Sequence, residues 1–219
     1  MDDYFSELAP RFPKFSGFDN VPIARYNVAP STKVNILRAD EAGIHIDPVR
    51  WGWSPFWAKG KTREPINARV ETVTTGKFFK QLWPDGRVLV PSDGWYEWVQ
   101  DPSDLAKRKQ PYFIRLKGDA PMFYGALAKV TPGLEPHDED GFVIITAASD
   151  RGMVDIHDRR PLVLTPEFAN EWLDPELSPD RAEEIAKECC RPVDDFEWYP
   201  VGKAVGNVRN QGPELIERI

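Results

Sequence analysis

The sequence predicts an α+β fold: mostly antiparallel or mixed strands forming a twisted, barrel-like core, with a few helices at its periphery. Three observations carry this expectation. Short runs rich in β-branched and aromatic residues recur along the chain. Proline is frequent, at 21 of 219 residues, which favours short elements over long helices. Only two stretches combine a helix-start signal with helix-compatible composition. No repeat, low-complexity linker or long block of charge divides the chain, so residues 1–219 read as one domain.

Taken in order, residues 2–8 suit a short helix. Strands are expected at VNILRA (34–39), RVLVPSDGWYEWV (87–99), PYFIRL (111–116), MFYGALAKV (122–130) and FVIITAAS (142–149). DLAKRKQ (104–110) and TPGLEPHDEDG (131–141) read as hairpin-type connections. TPEFANEWL (165–173) opens with Thr165 as N-cap and Pro166 in the first helical position; SPDRAEEIAKECC (178–190) repeats that opening with Ser178 and Pro179. In the second, Ala182, Ile185, Ala186 and Cys189 fall on one helical face, so Cys189 faces the core and Cys190 lies at the helix end.

Composition bounds the function. No apolar stretch approaches the roughly 20 residues that span a bilayer, and the acidic start MDDYFSELAPRF has no apolar core of a secretory signal. The only two cysteines, Cys189 and Cys190, are adjacent. They form neither a metal-ligand spacing nor a disulfide framework, which suits a cytoplasmic chain without metal or cofactor. The net charge of −7 argues against a nucleic-acid partner, but the charge is uneven. Residues 51–90 carry Lys59, Lys61, Arg63, Arg69, Lys77, Lys80 and Arg87 against Glu64, Glu71 and Asp85, a local balance of +4. A basic face of this kind suits a phosphate backbone; an ordinary charge fluctuation explains it equally well.

Three stretches carry candidate chemistry. In EPINARVET (64–72), Asn67 and Arg69 project to one side of a strand-like segment. In SDGWYEWV (92–99), Glu97 lies on the same side as Trp95, at the surface or partly desolvated; desolvation would raise its pKa towards the range useful for proton transfer. In VDIHDRRP (154–161), His157 sits among two aspartates and two arginines past a strand end. It reads either as a solvated turn histidine paired with Asp155 or Asp158, or as a proton carrier on a functional loop. No spacing rule links these three segments.

Seven strings in order, RYNVAPST (25–32), RWGWSPFWAK (50–59), INARVET (66–72), SDGWYEW (92–98), GFVIITAAS (141–149), VDIHDRRPLVL (154–164) and AVGNVRNQG (204–212), resemble the SOS-response-associated peptidase family over nearly the whole chain. Members of that family shield abasic sites in single-stranded DNA. An N-terminal cysteine, exposed by loss of Met, forms an imine with the sugar aldehyde and then closes a thiazolidine. The resemblance implies that Asn67 positions the N-terminal residue and the sugar, that Glu97 is the acid–base partner of the amine, and that His157 moves a proton at the ribose oxygen. It further implies phosphate contacts from Arg69 and Lys77, base stacking on Phe56 and Trp57, and a groove lined by Pro30 and Thr146. The expected partner is single-stranded DNA containing abasic sites, bound by a monomer that is nucleoid-associated when on DNA.

One departure matters. Family members begin Met-Cys-Gly-Arg and reach their equivalent of DDYFSEL only later, whereas this chain begins MDDYF and has no cysteine before Cys189. Cys189 cannot substitute, because a thiazolidine needs amine and thiol on one residue. The expectation is a start assigned at an internal Met, the alternative a member without the nucleophile; as it stands the chain is expected to form no stable crosslink. Two other readings remain: a non-covalent single-stranded DNA-binding module, and a peptidase limited to processing its own N-terminus. No Ser or Cys nucleophile beside a His motif supports a general protease.

Overall fold

Side-chain alternation builds the first described hairpin. In β2 (Lys33–Asp40) and β3 (Gly43–Arg50), paired antiparallel from Lys33↔Arg50 to Asp40↔Gly43, Leu37, Ile44 and Ile46 face one layer while Ile36 and Val49 face another. The computed structural model describes residues 15–16, 25–100, 108–118, 120–131 and 137–219. The helix expected at 2–8 lies outside these residues, as do the centres of both hairpin connections. A short β1 (Phe15–Ser16) pairs parallel with β3.

The strand expectations at 34–39, 111–116, 122–130 and 142–149 correspond to β2, β7 (Lys109–Leu116), β8 (Met122–Lys129) and β9 (Gly141–Ala148). The run at 87–99 is two strands, β5 (Arg87–Ser92) and β6 (Trp95–Gln100), belonging to different sheets. A short β4 (Asn67–Arg69) pairs parallel with β9. β10 (Arg159–Pro161), β11 (Val163–Leu164) and β12 (Phe196–Pro200) complete the set.

The larger sheet has nine strands, running β1-β3-β2-β5-β8-β9-β10 with β11 beside β8 and β4 beside β9; the smaller runs β12-β7-β6. Both are mostly antiparallel, as the sequence predicts. The centre of the larger sheet is buried on both faces. Leu89, Phe123, Leu127, Val143 and Ile145 pack towards α1 (Pro166–Trp172), α2 (Pro179–Glu188) and Trp83. Val88, Val90, Tyr124, Ala126, Phe142 and Ile144 pack against Trp95, Ile114, Leu116 and Phe196 of the smaller sheet. Each fully buried Leu, Ile or Phe contributes about 1.5–3 kcal/mol. The helices start where the caps predict: the Thr165 hydroxyl accepts from Phe168 N–H and the Ser178 hydroxyl from Arg181 N–H. Ala182, Ile185 and Ala186 are buried, and both Cys189 and Cys190 pack against this layer. No described helix is long and apolar enough to cross a membrane.

The sheets are not closed into a barrel. The nearest approach is a single parallel bridge between Trp51, just after β3, and Phe142 on β9, backed by Gly52 N–H donating to Phe142 C=O at 2.8 Å. That approach requires Gly141: a Cβ there would lie 2.3 Å from Gly52 O. At the other end of β9 the sheet splits. β9 pairs with β8 only as far as Ala126↔Ile144; beyond that point residues 159–164 wedge between them, first as β10 on β9 and then as β11 on β8. Leu162 is the pivot, its N–H donating to Ile145 C=O and its C=O accepting from Gly125 N–H, each at 2.8 Å. The split opens the space in which the candidate residues meet.

Candidate functional site

Glu97 reaches that space because the chain changes sheets just before it. Between β5 and β6 the Ser92 hydroxyl donates to Gly94 C=O at 2.8 Å, and Gly94 lies so close to Phe113 that a Cβ would sit 2.3 Å from its ring. Alternation along β6 then turns Trp95 and Glu97 towards the larger sheet and Tyr96 away from it. The Tyr96 hydroxyl donates to Tyr26 C=O at 2.7 Å, and burial pushes its pKa up to about 12. Glu97 is half-buried. Burial pushes its carboxyl pKa up, partly offset by His157 and reinforced by Asp158.

β4 and β10 supply the other polar groups. Pairing of β4 with β9 buries Ala68 and leaves Asn67 and Arg69 exposed on the opposite face, the same-side arrangement expected from their spacing. His157 follows a 3₁₀ turn over Arg151–Asp155 anchored by buried Met153, whose C=O accepts from His157 N–H at 3.0 Å. The imidazole Nδ1 lies 3.0 Å from both the N–H and the C=O of Arg159, and 3.3 Å from an Asp158 carboxylate oxygen. When Nδ1 is bare it accepts from the Arg159 N–H; when it carries a proton it donates to the Arg159 C=O. Either tautomer therefore has a partner at Nδ1. Of the two turn partners expected, Asp158 is the one present.

These groups converge on a cavity of about 490 Å³. Asn67, Glu97, His157, Thr146 and Pro30 all line it, with Trp51, Trp95, Tyr124 and Phe142 as aromatic walls. An apolar pocket with a few convergent polar groups and a carboxyl of raised pKa is the usual form of a reactive site. Its outer wall is preformed. Asn27 is buried and donates through Nδ2 to Val205 C=O and Asn207 C=O at 2.9 and 3.2 Å, while Gln211 Nε2 donates to Asn27 C=O at 2.8 Å. RYNVAPST and AVGNVRNQG, far apart in sequence, are thus joined. Among the described residues no group of three or more His, Cys, Asp or Glu comes together to hold a metal.

The remaining sequence-predicted residues lie elsewhere. Phe56 and Trp57, 82% and 42% exposed, line a second cavity of about 460 Å³ with Arg50, Glu64, Lys129 and Glu139. Lys77 joins this wall, its Nζ 6.0 Å from the centre of the Trp57 ring. Arg69 is exposed beyond Asn67 and lines neither cavity. Arg87, part of the local +4 balance, is buried and donates to the carbonyls of Pro84, Trp172, Asp174 and Leu177, so it cannot meet a phosphate. Arg159 is not singled out by the sequence, yet it lines the first cavity. Its one signal is its place two residues after His157, in a segment that forms a strand.

Comparison with known proteins identifies the family. The family model described as SOS response associated peptidase (SRAP) matches residues 6–208. The abasic site processing protein YedK of Escherichia coli is 47% identical over 219 residues, covering all of this chain and 95% of that protein. The abasic site processing protein YoqW of Bacillus subtilis is 33% identical, covering 96% of this chain and 99% of its own length. Among solved structures, a phage-related protein of Bordetella bronchiseptica superimposes with a TM-score of 0.73 at 36% identity, covering 92% of this chain and 90% of that one. The chain belongs to the SOS response associated peptidase family.

Proposed function

We propose that this protein processes abasic sites in single-stranded DNA, holding the ring-opened sugar in the cavity between Asn67, Glu97 and His157. The observation that carries the reading is the convergence, from three distant segments, of a half-buried carboxyl of raised pKa with an imidazole whose two tautomers are both accommodated. Relatives named as abasic site processing proteins support the choice of lesion. An abasic sugar interconverts between a closed ring and an open aldehyde, and each conversion moves a proton at the ring oxygen. In this reading His157 supplies and recovers that proton. In the same reading Glu97 takes a proton from an attacking α-amine, which with a pKa of about 8 is mostly protonated at neutral pH. Asn67 offers both a donor and an acceptor to orient the sugar, while Phe56, Trp57, Arg69 and Lys77 give flanking nucleotides stacking faces and cations.

A second, non-covalent reading is favoured by one observation: none of the described residues lining the cavity carries an amine or a thiol. Covalent capture therefore needs a nucleophile from beyond those residues, such as the Met-Cys-Gly-Arg start of the resembling family. Incubating an abasic oligonucleotide with the chain as it stands, and with the chain preceded by Met-Cys-Gly-Arg, separates the two. Both proteins should bind an abasic analogue more tightly than undamaged single strand, with affinity falling as salt rises. A denaturation-resistant adduct should form with the second protein only. Equal affinity for damaged and undamaged strands would overturn it.

A further inference from the structure

We propose that Glu71 is a positioning residue of this cavity: by gripping Arg159 at two points it presets the guanidinium for an anionic strand, so removing this acid weakens binding. The inference rests on the proposed function above. Arg159 Nη1 and Nη2 donate to the two carboxylate oxygens of Glu71 at 2.6 and 3.0 Å, and Nη2 also donates to the Thr146 C=O on β9. This is the planar two-point pairing that fixes an arginine's orientation as well as its position. The Arg159 side chain is only 18% exposed and Glu71 is 50% exposed, so the acid grips from the solvent side.

Two further features place Arg159 in the site. Its Nε is buried and has no protein partner, leaving a donor unsatisfied on a side chain that lines the cavity. Its backbone is the partner of His157 Nδ1, so one residue carries both the phosphate-sized cation and the support of the imidazole. Arg159 first, and Arg69 more weakly, hold the Glu71 carboxyl below the usual carboxylate range, so the grip persists at neutral pH.

The competing expectation has the opposite sign. Glu71 read as a plain surface acid repels a polyanion, and its removal tightens DNA binding. A positioning Glu71 makes removal costly, because the freed guanidinium loses its fixed orientation. The test compares Glu71→Ala, Glu71→Gln, Arg159→Ala and the Glu71→Ala/Arg159→Ala double variant. Each is titrated with a single-stranded oligonucleotide carrying a tetrahydrofuran abasic analogue and with its undamaged counterpart, and thermal midpoints are recorded in parallel. Glu71→Ala should bind the analogue about tenfold more weakly and lose much of the preference over undamaged strand. Glu71→Gln, which keeps one acceptor, should recover part of both. The double variant should be no worse than Arg159→Ala, since Glu71 acts through Arg159.

Tighter binding in Glu71→Ala, additive losses in the double variant, or a lowered midpoint with wild-type preference each overturn the inference alone. A wild-type protein with no preference for the analogue overturns the proposed function and this inference with it.

Discussion

The two cavities are nearly equal in volume, about 490 and 460 Å³, and opposite in electrostatic design. Around Phe56 and Trp57 the half-buried acid Glu64 and the exposed acid Glu139 are each matched by a cation. Glu64 receives both ends of the Arg50 guanidinium, which holds its pKa below the usual range, and Glu139 meets Lys129. At the sheet junction Glu97 has no hydrogen-bonded cation among the described contacts, and burial raises its pKa. A matched acid stays ionised and does little chemistry. A mismatched one sits closer to the pH at which it can exchange a proton. Volume does not separate the two sites, whereas the state of one carboxyl in each does.

If the second cavity is only a binding wall, its loss should cost affinity and nothing else. Phe56→Ala removes a ring that is 82% exposed, so folding should be unaffected. Binding of single-stranded DNA should weaken by about 1–3 kcal/mol, the worth of one stacked base, and equally for damaged and undamaged strands. A change in the preference for abasic DNA, measured by parallel titrations, would merge the two cavities into one site.

A smaller effect sharpens the contrast through stability. The folded pKa of Glu97 is raised, so its ionisation disfavours the fold as pH rises through that value. Glu97→Gln should therefore raise the thermal midpoint at neutral pH, with the gain vanishing below the unfolded carboxyl pKa of about 4.3. The folded pKa of Glu64 is lowered, so its contribution is present above the unfolded value and is lost as pH falls through the folded one. Glu64→Gln should lower the midpoint at neutral pH and do less in acid. Midpoints of both variants from about pH 3 to 8, a span that brackets carboxylate titration, check the two signs; the same sign in both would break the comparison.

What the sequence conveyed follows from how local each signal was. Alternation in WYEW placed Glu97 beside Trp95, and the aspartates and arginines around His157 marked it, because both patterns lie within a few residues. The caps at Thr165 and Ser178 were legible for the same reason. β3 was obscured by Pro48, which the structure tolerates within the strand, and β10 and β11 are too short to carry a pattern. The separation of Phe56 and Trp57 from His157 follows from residues 51–52 docking at the start of β9 and residues 158–161 at its end, a tertiary arrangement with no local signature. Charge counting likewise could not show that Arg87 turns inward onto carbonyls.

The most direct test of the Glu97 assignment is the pH–rate profile for adduct formation on an abasic oligonucleotide by the chain preceded by Met-Cys-Gly-Arg. It is measured at saturating DNA for wild type, Glu97→Gln and Glu64→Gln, with affinity determined separately on the non-reactive analogue. Glu97→Gln keeps the shape of the side chain and removes its titration. It should slow the reaction by about 10²–10⁴ and abolish the acidic limb of the profile, while leaving affinity nearly unchanged. Glu64→Gln should keep the wild-type profile. Wild-type rates in Glu97→Gln, or an equal loss in Glu64→Gln, would contradict the assignment of the chemistry to the cavity at the sheet junction.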